Sequence, residues 1–241
     1  MAVLEHLSYG FRKTGQDSDK VLSVRECSEQ DNFMQFKGYV ILKEQYAALV
    51  KLCKQYRTTP EGIFKGSDSF EAEAGLVTKI DLHNRALQTF TKQLTMPEVL
   101  TQLEYLDISF CAIEQELIIP KTLARLKYFD CSWNTRMGKL IISEAFEELE
   151  TINCEAISAF KLPLPKTLTK LTELYCSRNH LQTLVIHETF TQLKKLSCHT
   201  NHGLELIIPD NILAQLTDFD YSNIKNEAAI TQQYDRVRGG C

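Results

Sequence analysis

The sequence predicts an α/β solenoid, in which stacked repeats place parallel strands on a concave side and short helical or 3₁₀ turns on a convex side. The first observation is the spacing of Leu171–Leu181, which follows L-x-x-L-x-[L/C]-x-x-N-x-L. The second is its recurrence in further copies, which begin at Val77, Leu103, Leu126, Leu149, Leu193 and Leu216. The third is the period, because successive copies start 26, 23, 23, 22, 22 and 23 residues apart. Units of about 20–29 residues with this pattern stack and bury their apolar edges against one another.

Residues 1–76 do not follow the repeat and are predicted to cap the first unit, which would otherwise expose an apolar end. Lys20–Arg25 and Phe36–Leu42 have the composition of short strands, and apolar residues recur at helical spacing within Tyr39–Tyr56. The polar stretch Ser67–Gly75 is predicted to be a connector. The alternative is that residues 1–76 form a small α+β region with a role of its own.

Residues 77–224 are predicted to be the solenoid, with about seven repeats, each made of a strand half and a return half. The return halves share an L-x-[I/L]-[P/S/H] start, and they are Leu117–Leu126, Leu140–Leu149, Leu162–Leu171, Leu184–Leu193 and Leu206–Leu216. Proline is tolerated in the first turn of a helix, so each return half is predicted to form a short helical or 3₁₀ turn. Leu206–Leu216 has one extra residue and is predicted to differ locally. Residues 225–241 leave the pattern as a C-terminal cap or tail, with a helix predicted over Glu227–Arg238.

Four cysteines occupy the sixth position of consecutive repeats: Cys131, Cys154, Cys176 and Cys198. Other repeats have Leu82, Ile108 or Tyr221 there, so the position is predicted to point into the core. Thiols on parallel strands about 4.8 Å apart form a straight row, whereas zinc needs sulfurs that converge on one point. The sequence therefore predicts structural cysteines, no metal and no cofactor. The ninth position holds Cys111, Asn134, Asn179 or Asn201, and is predicted to bond to the loop backbone.

Composition and charge argue against nucleic-acid binding, a membrane span and a secretory signal. The formal net charge is −4 at pH 7, which gives no electrostatic reason to expect nucleic-acid binding. The chain has no apolar run of about 18 residues, so no membrane span is predicted. The first residues, MAVLEHLSYGFRK, lack the uninterrupted apolar segment of a secretory signal. These features predict a reducing, cytoplasmic compartment.

The concave surface is predicted from the alternation of side chains along each strand. The third, fifth and eighth positions of the repeats are expected to face solvent. They contain an aromatic patch (Tyr105, Phe110, Tyr128, Trp133 and Tyr175), an acidic row (Asp81, Asp107 and Asp130) and Arg178. Exposed aromatic clusters are typical of interaction sites, where Trp, Tyr and Arg dominate the binding energy. The alternative is that the rings stack on one another along the strands and only stabilise the sheet.

The predicted partner-binding residues are Tyr105, Asp107, Phe110, Tyr128, Asp130, Trp133, Tyr175 and Arg178. Because aspartates on neighbouring strands repel one another, the partner is expected to have an apolar surface flanked by Lys or Arg.

Catalysis is not predicted. Ser177, His199 and Ser222 share the exposed seventh position and Asp220 is near, so a serine–histidine–acid set is conceivable. A shallow strand wall, however, offers neither a dry pocket nor an oxyanion hole. A second alternative is an enzyme with Cys27 or Cys53 as the nucleophile in the N-terminal region, where the sequence shows no partnering histidine motif.

Residues 77–224 resemble the leucine-rich repeat family through these copies and their period. Their [I/L]-[I/L]-P-x-x-L pieces look most like leucine-rich repeat proteins of bacteria, including effectors that pathogens inject into host cells. The resemblance implies a curved scaffold that recognises proteins, usually through its concave face. Some injected members also carry a ubiquitin-ligase domain with a catalytic cysteine, but this chain has no segment of that size left.

The sequence therefore predicts a non-enzymatic bacterial effector, a monomer or heterodimer, that binds a host protein or a fellow effector through its concave face. It is predicted to inhibit that partner by covering an active or docking site. Its compartment would be the cytoplasm, or the host-cell cytosol after injection. The alternative is an adaptor whose residues 1–76 recruit a second protein.

Overall fold

The computed structural model describes residues 32–66, 68–85 and 93–239. The strand predicted over Lys20–Arg25, the candidate nucleophile Cys27 and the terminal Cys241 lie outside the described residues.

The N-terminal region combines a hairpin, two helices and a strand. Its elements are β1 (Phe33–Phe36), β2 (Tyr39–Leu42), α1 (Lys43–Lys54), α2 (Pro60–Ile63) and β3 (Phe70–Glu73). The strand predicted over Phe36–Leu42 is interrupted by a turn, in which Lys37 and Gly38 have φ of 55° and 81°. The helix begins at Lys43 rather than at Tyr39. The predicted connector contains β3, which joins the main sheet, so that part of the prediction is wrong.

The N-terminal region shares its core with the first repeats. Phe36, Phe64 and Phe70 pack edge to face, with ring centroids 5.0 to 6.0 Å apart. Gln45, which is buried, donates from Nε2 to the carbonyl oxygen of Val99 (2.9 Å) and accepts from the amide of Val77 (3.2 Å). Its amide therefore satisfies backbone groups of the first repeats at the end of the solenoid.

The repeats alternate strands of an inner sheet with strands of outer sheets. In chain order the elements are β4 (Leu76–Asp81), β5 (Gln93–Thr95), β6 (Tyr105–Asp107), β7 (Glu114–Ile118), β8 (Tyr128–Asp130), β9 (Arg136–Lys139), β10 (Thr151–Asn153), β11 (Glu173–Tyr175), β12 (Thr183–Val185), β13 (Lys195–Ser197), β14 (Glu205–Ile207), α3 (Asp210–Gln215), β15 (Asp218–Asp220) and α4 (Glu227–Gly239). The inner sheet has the order β15-β13-β11-β10-β8-β6-β4-β3, with β3 antiparallel and the other strands parallel. Equal positions pair across the repeats, as Tyr105 with Tyr128 and Asp107 with Asp130. The predicted frame of the repeats is confirmed.

The return halves form strands and turns more than helices. The outer sheets are β5-β7-β9 and β12-β14, and the strands β7, β12 and β14 contain the first residues of return halves that were expected to form helical turns. Between them, the unit with Pro163 has no outer strand, and proline lacks the amide that a parallel ladder needs. Among the described return halves, α3 occurs in the one with the extra residue, where a local difference was predicted.

Two rows of side chains run through the core as predicted. The sixth-position cysteines Cys131, Cys154, Cys176 and Cys198 are fully buried and free, and burial raises the pKa of Cys198 to about 12. Asn134 donates to the carbonyl oxygens of Ile108 (2.9 Å) and Cys131 (2.8 Å) and accepts from the amide of Ile113 (2.9 Å). Asn179 and Asn201 repeat this pattern, and Cys111 donates to the carbonyl oxygen of Leu82 (3.0 Å).

The C-terminal helix covers the last repeat. α4 spans Glu227–Gly239, which confirms the helix predicted over Glu227–Arg238. Tyr234 packs against Phe219 of β15 with ring centroids 5.7 Å apart, and Arg236 pairs with Asp210 of α3 at 2.8 Å.

Candidate protein-binding surface

The predicted aromatic patch divides into two stacked pairs in different local structures. Tyr105 and Tyr128 lie on the inner strands β6 and β8. Phe110 and Trp133 lie beyond the ends of these strands, in turns where φ is 53° and 57°. The prediction that they belong to the strand face is therefore wrong. The eighth position of every repeat is left-handed, and its occupants are Asn84, Phe110, Trp133, Ala156, Arg178, Thr200 and Asn223.

The tyrosine pair is half-buried on the inner sheet. The two rings are parallel within 3°, with centroids 4.3 Å apart, and Lys79 Nζ lies 5.1 Å from the centroid of Tyr105. Burial, reinforced by the nearby charges of Asp107 and Asp81, raises the pKa of Tyr105 to about 12. Both rings therefore present neutral phenols at physiological pH.

The Phe110–Trp133 pair is the more exposed one, since Phe110 is 42% and Trp133 41% exposed. Their rings are parallel within 8°, with centroids 5.3 Å apart, and the His83 and Phe110 rings pack edge to face with centroids 5.5 Å apart. The rings border a cavity of about 240 Å³, which we call the aromatic groove and which is lined by Asn84, Phe110, Ala112, Ile113, Glu114, Trp133, Thr135 and Arg136. Glu114 and Arg136 form an ion pair on its wall, with Oε1 and Nη1 2.7 Å apart. The groove thus combines an aromatic edge with one charge of each sign.

The acidic row is mostly engaged in the fold. Asp107 and Asp130 are each only 7% exposed, which corrects the prediction that they face solvent. Asp107 Oδ1 accepts from both the amide (2.9 Å) and the hydroxyl (2.6 Å) of Ser109. Asp130 accepts from the amide of Ser132 (2.8 Å) and from Asn153 Nδ2 of the next repeat (2.8 Å). These carboxylates close the turn that follows each strand, a role that Asx side chains commonly take.

Tyr175 and Arg178 lie apart from both ring pairs. β10 separates Tyr175 from Tyr128, and the Tyr175 hydroxyl donates to Glu173 at 3.0 Å. Arg178 follows β11 and pairs with Glu155, with Nε and Oε1 3.0 Å apart. The structure therefore brings Tyr105 next to Tyr128 and Phe110 next to Trp133, and leaves Tyr175 and Arg178 together on a unit two repeats beyond Tyr128.

The candidate catalytic groups are engaged elsewhere. Ser177 is buried, not exposed as predicted, and its hydroxyl bonds to that of Ser197 at 2.8 Å. His199 Nδ1 bonds to the Thr200 hydroxyl at 2.9 Å, and its Nε2 lies 3.9 Å from Asp220. Cys53 is fully buried, and desolvation raises the pKa of its thiol to about 12. Within the described residues, no group of three or more His, Cys, Asp or Glu is placed to hold a metal ion.

One set of exposed residues was missed by the sequence analysis. Four large apolar side chains on or just before the return halves are 39–59% exposed, namely Ile141, Phe160, Val185 and Ile207. For Ile141, Val185 and Ile207 the signal was their place as the middle residue of an L-x-[I/L] piece, which faces away from the buried residues on either side. Assigning helical turns to these pieces concealed it.

The repeat motif, the parallel strands in equal register and the buried asparagine and cysteine rows define the fold as a solenoid of leucine-rich repeats. No protein-family model matches the chain, and no curated protein matches it. Among the described residues, no helix is both long and apolar enough to cross a membrane.

Three bacterial proteins are among the similar solved structures. YopM from Yersinia enterocolitica is 25% identical, with 55% of this chain and 27% of that chain covered and a TM-score of 0.43. The functional domain of InlJ from Listeria monocytogenes, described as including a cysteine ladder, is 22% identical, with 62% and 40% covered and a TM-score of 0.41. The Leptospira interrogans leucine-rich repeat protein LIC12759 is 15% identical, with 68% and 59% covered and a TM-score of 0.34. This chain thus spans less than half of the YopM and InlJ chains.

Proposed function

We propose that this protein binds a protein partner, without catalysing a reaction, through the tyrosine pair and the aromatic groove. The observation that carries the proposal is the backbone conformation of Phe110 and Trp133. Bulky residues disfavour φ above zero, at about 1–2 kcal/mol each, whereas asparagine tolerates it. Asn84 and Asn223 occupy the same position in the first and last repeats. Stacking of the two rings contributes only about 0.5–1.5 kcal/mol, so folding alone gives little reason to place Phe and Trp here.

The partner is expected to insert an apolar or aromatic side chain into the aromatic groove. Glu114 and Arg136 would then meet polar groups of the partner at the rim, where they set orientation more than affinity. Of the acidic row that suggested a basic partner, Asp107 and Asp130 are already hydrogen-bonded. Because Asp107 and Asp130 are also nearly inaccessible, whereas Asp81 and Glu114 are partly exposed, a basic partner residue is expected to meet Asp81 or Glu114 instead.

In this proposal the protein inhibits its partner by covering a functional site on it. A rigid inner wall seated on a partner's active or docking site would block it without any chemistry. The resemblance to injected bacterial effectors supports a host protein or a fellow effector as that partner, in the host-cell cytosol or the bacterial cytoplasm. In this proposal the chain acts as one half of a heterodimer.

The experiment that tests the proposal is an affinity capture with mass spectrometry, comparing wild type with Phe110→Ala/Trp133→Ala and with Tyr105→Ala/Tyr128→Ala. Phe160→Ala is the matched control, because it removes an exposed ring outside the surface. Circular dichroism confirms that each variant folds. Loss of one specific partner in the groove variant and its retention in the control would support the proposal. The proposal would be overturned if every captured partner were retained by both double variants.

A further inference from the structure

The return halves present a row of apolar side chains to solvent, one from each of five consecutive units. We call it the outer row, and its members are Ile118, Ile141, Pro163, Val185 and Ile207. The leucine directly before each member is buried, so the member itself points outward. Ile141 and Ile207 are 56% and 50% exposed, whereas the first outer strand has Thr95 at the equivalent place. Threonine there shows that the outer sheet does not require an apolar residue at this position.

Two further features extend the outer row into a patch. Phe160 is 59% exposed, belongs to the same unit as Pro163 and lies against His180 with ring centroids 5.3 Å apart. A depression of about 220 Å³ borders the C-terminal half of the row and is lined by Lys166, Ile186, His187, Glu188, Thr189 and Pro209. Contiguous exposed apolar surface with an adjoining hollow is typical of an interaction site.

A row of mostly charged residues runs beside the outer row on the same face. It lies two residues earlier in each unit, at Glu116, Lys139, Lys161, Thr183 and Glu205. Glu116 pairs with Lys139 at 2.9 Å, and Glu205 pairs with Lys225 at 3.3 Å. Lys161 is exposed and has no salt bridge to any residue that the structure describes. The flank of the outer row therefore offers one uncompensated positive charge near its centre.

We propose that the outer row binds an amphipathic helix of a protein partner, with the helix lying across the repeats and an acidic residue placed against Lys161. Successive members of the row lie on units about 4.8 Å apart, close to the helical pitch of about 5.4 Å. Residues i, i+4, i+7 and i+11 of a helix therefore meet successive repeats. An extended segment repeats the same face only every ~6.6 Å, which fits the row less well. The recognition mode is that of a helix in an apolar groove.

This inference goes beyond the proposed function, because it uses different residues on a different side of each repeat. A protein with both surfaces can join two partners at once. Evidence against binding at the aromatic groove would therefore not bear on the helix site, and the reverse also holds.

The test uses the full chain and two fluorescent peptides of about 15 residues, or four helical turns. One peptide has leucines at i, i+4, i+7 and i+11 with glutamates beside the stripe, and the other has the same composition in shuffled order. Fluorescence anisotropy should show saturable binding of the striped peptide and none of the shuffled one. The variant Ile141→Thr/Val185→Thr/Ile207→Thr keeps a β-branched residue at each position and should bind the striped peptide at least about tenfold more weakly.

Two further variants test the charge preference of the outer row and its independence from the aromatic groove. Lys161→Glu should weaken binding of the glutamate-flanked peptide and strengthen binding of a lysine-flanked version. Trp133→Asn, which changes the aromatic groove, should leave the affinity for the striped peptide unchanged. The proposal is overturned if the striped peptide does not bind, if the threonine variant binds it as well as wild type, or if Trp133→Asn abolishes binding.

Discussion

Asp107 accepts two hydrogen bonds through one carboxylate oxygen, from the backbone amide and from the hydroxyl of Ser109, at 2.9 and 2.6 Å. This contact holds the turn that leads to Phe110, so a side chain predicted to meet a partner instead shapes the surface that would do so. In the neighbouring repeat, Asp130 Oδ1 likewise accepts from the backbone amide of Ser132 at 2.8 Å.

The Asp107 turn makes stability depend on pH in a defined direction. Burial raises the pKa of Asp107, and the hydrogen bonds from Ser109 oppose this rise without cancelling it. The folded state then binds a proton more readily than the unfolded state, so stability falls as pH rises from the ordinary pKa through the folded one. Asp107→Asn keeps an oxygen acceptor and should be more stable than wild type at pH 7, with the difference shrinking at acidic pH. Urea unfolding at both pH values measures this, and a variant less stable at pH 7 would contradict it.

The substitution Trp133→Asn should distinguish the contribution of Trp133 to stability from its contribution to partner binding. It loses the stack with Phe110 and gains a residue that tolerates the left-handed backbone, so the free energy of unfolding should change by no more than about 1 kcal/mol. Partner affinity should fall about thirtyfold, as expected for the loss of a hot spot worth ~2 kcal/mol. Denaturant unfolding and calorimetric titration with the captured partner measure the two quantities. An unchanged affinity would show that the exposed rings only stack.

Asn179→Ala should be among the most damaging single substitutions. Asn179 donates to the carbonyl oxygens of Cys154 and Cys176 and accepts from the amides of Ile157 and Ala159, all within 2.9–3.1 Å. Removing the amide leaves several buried backbone groups without partners, at a cost of about 3 kcal/mol.

The control for this prediction is Asn153→Ala, because Asn153 is only partly buried and its substitution should cost about 1 kcal/mol. Chemical denaturation of both variants would settle the ranking. Equal losses would mean that the buried asparagine row contributes no more than the partly exposed site.

The cysteine row should resist alkylation in the native protein. Cys131, Cys154 and Cys176 are fully buried, and desolvation raises their pKa values, so the reactive thiolate is scarce. Iodoacetamide labelling followed by peptide mass spectrometry should show modification of these residues only as fast as the protein unfolds. Rapid labelling of the row without unfolding would contradict the burial described here.

Features that recur at the same position of each repeat could be predicted from the sequence, whereas features that depend on local backbone conformation could not. The inward row at Cys131 and the bonded Asn134 followed from period and residue type alone. The left-handed turn at Trp133 did not, because a bulky aromatic is a poor indicator of φ above zero. The inward-turned, hydrogen-bonded carboxylate of Asp107 was missed because its partner is a serine two residues later in the following turn. Apolar pieces such as Leu206–Ile207 suit a strand and a short helical turn equally, so the outer sheets could not be chosen from pattern alone.

The left-handed eighth position has one backbone shape and, in neighbouring units, an amide, a phenyl ring, an indole, a methyl group and a guanidinium group. Since the buried asparagine and cysteine rows maintain the framework, the side chain at this position can be exchanged with little consequence for the fold. Each unit therefore supplies one variable side chain to this surface at a fixed backbone position. A library varied at this position alone would redirect the scaffold to new targets while every repeat kept its architecture.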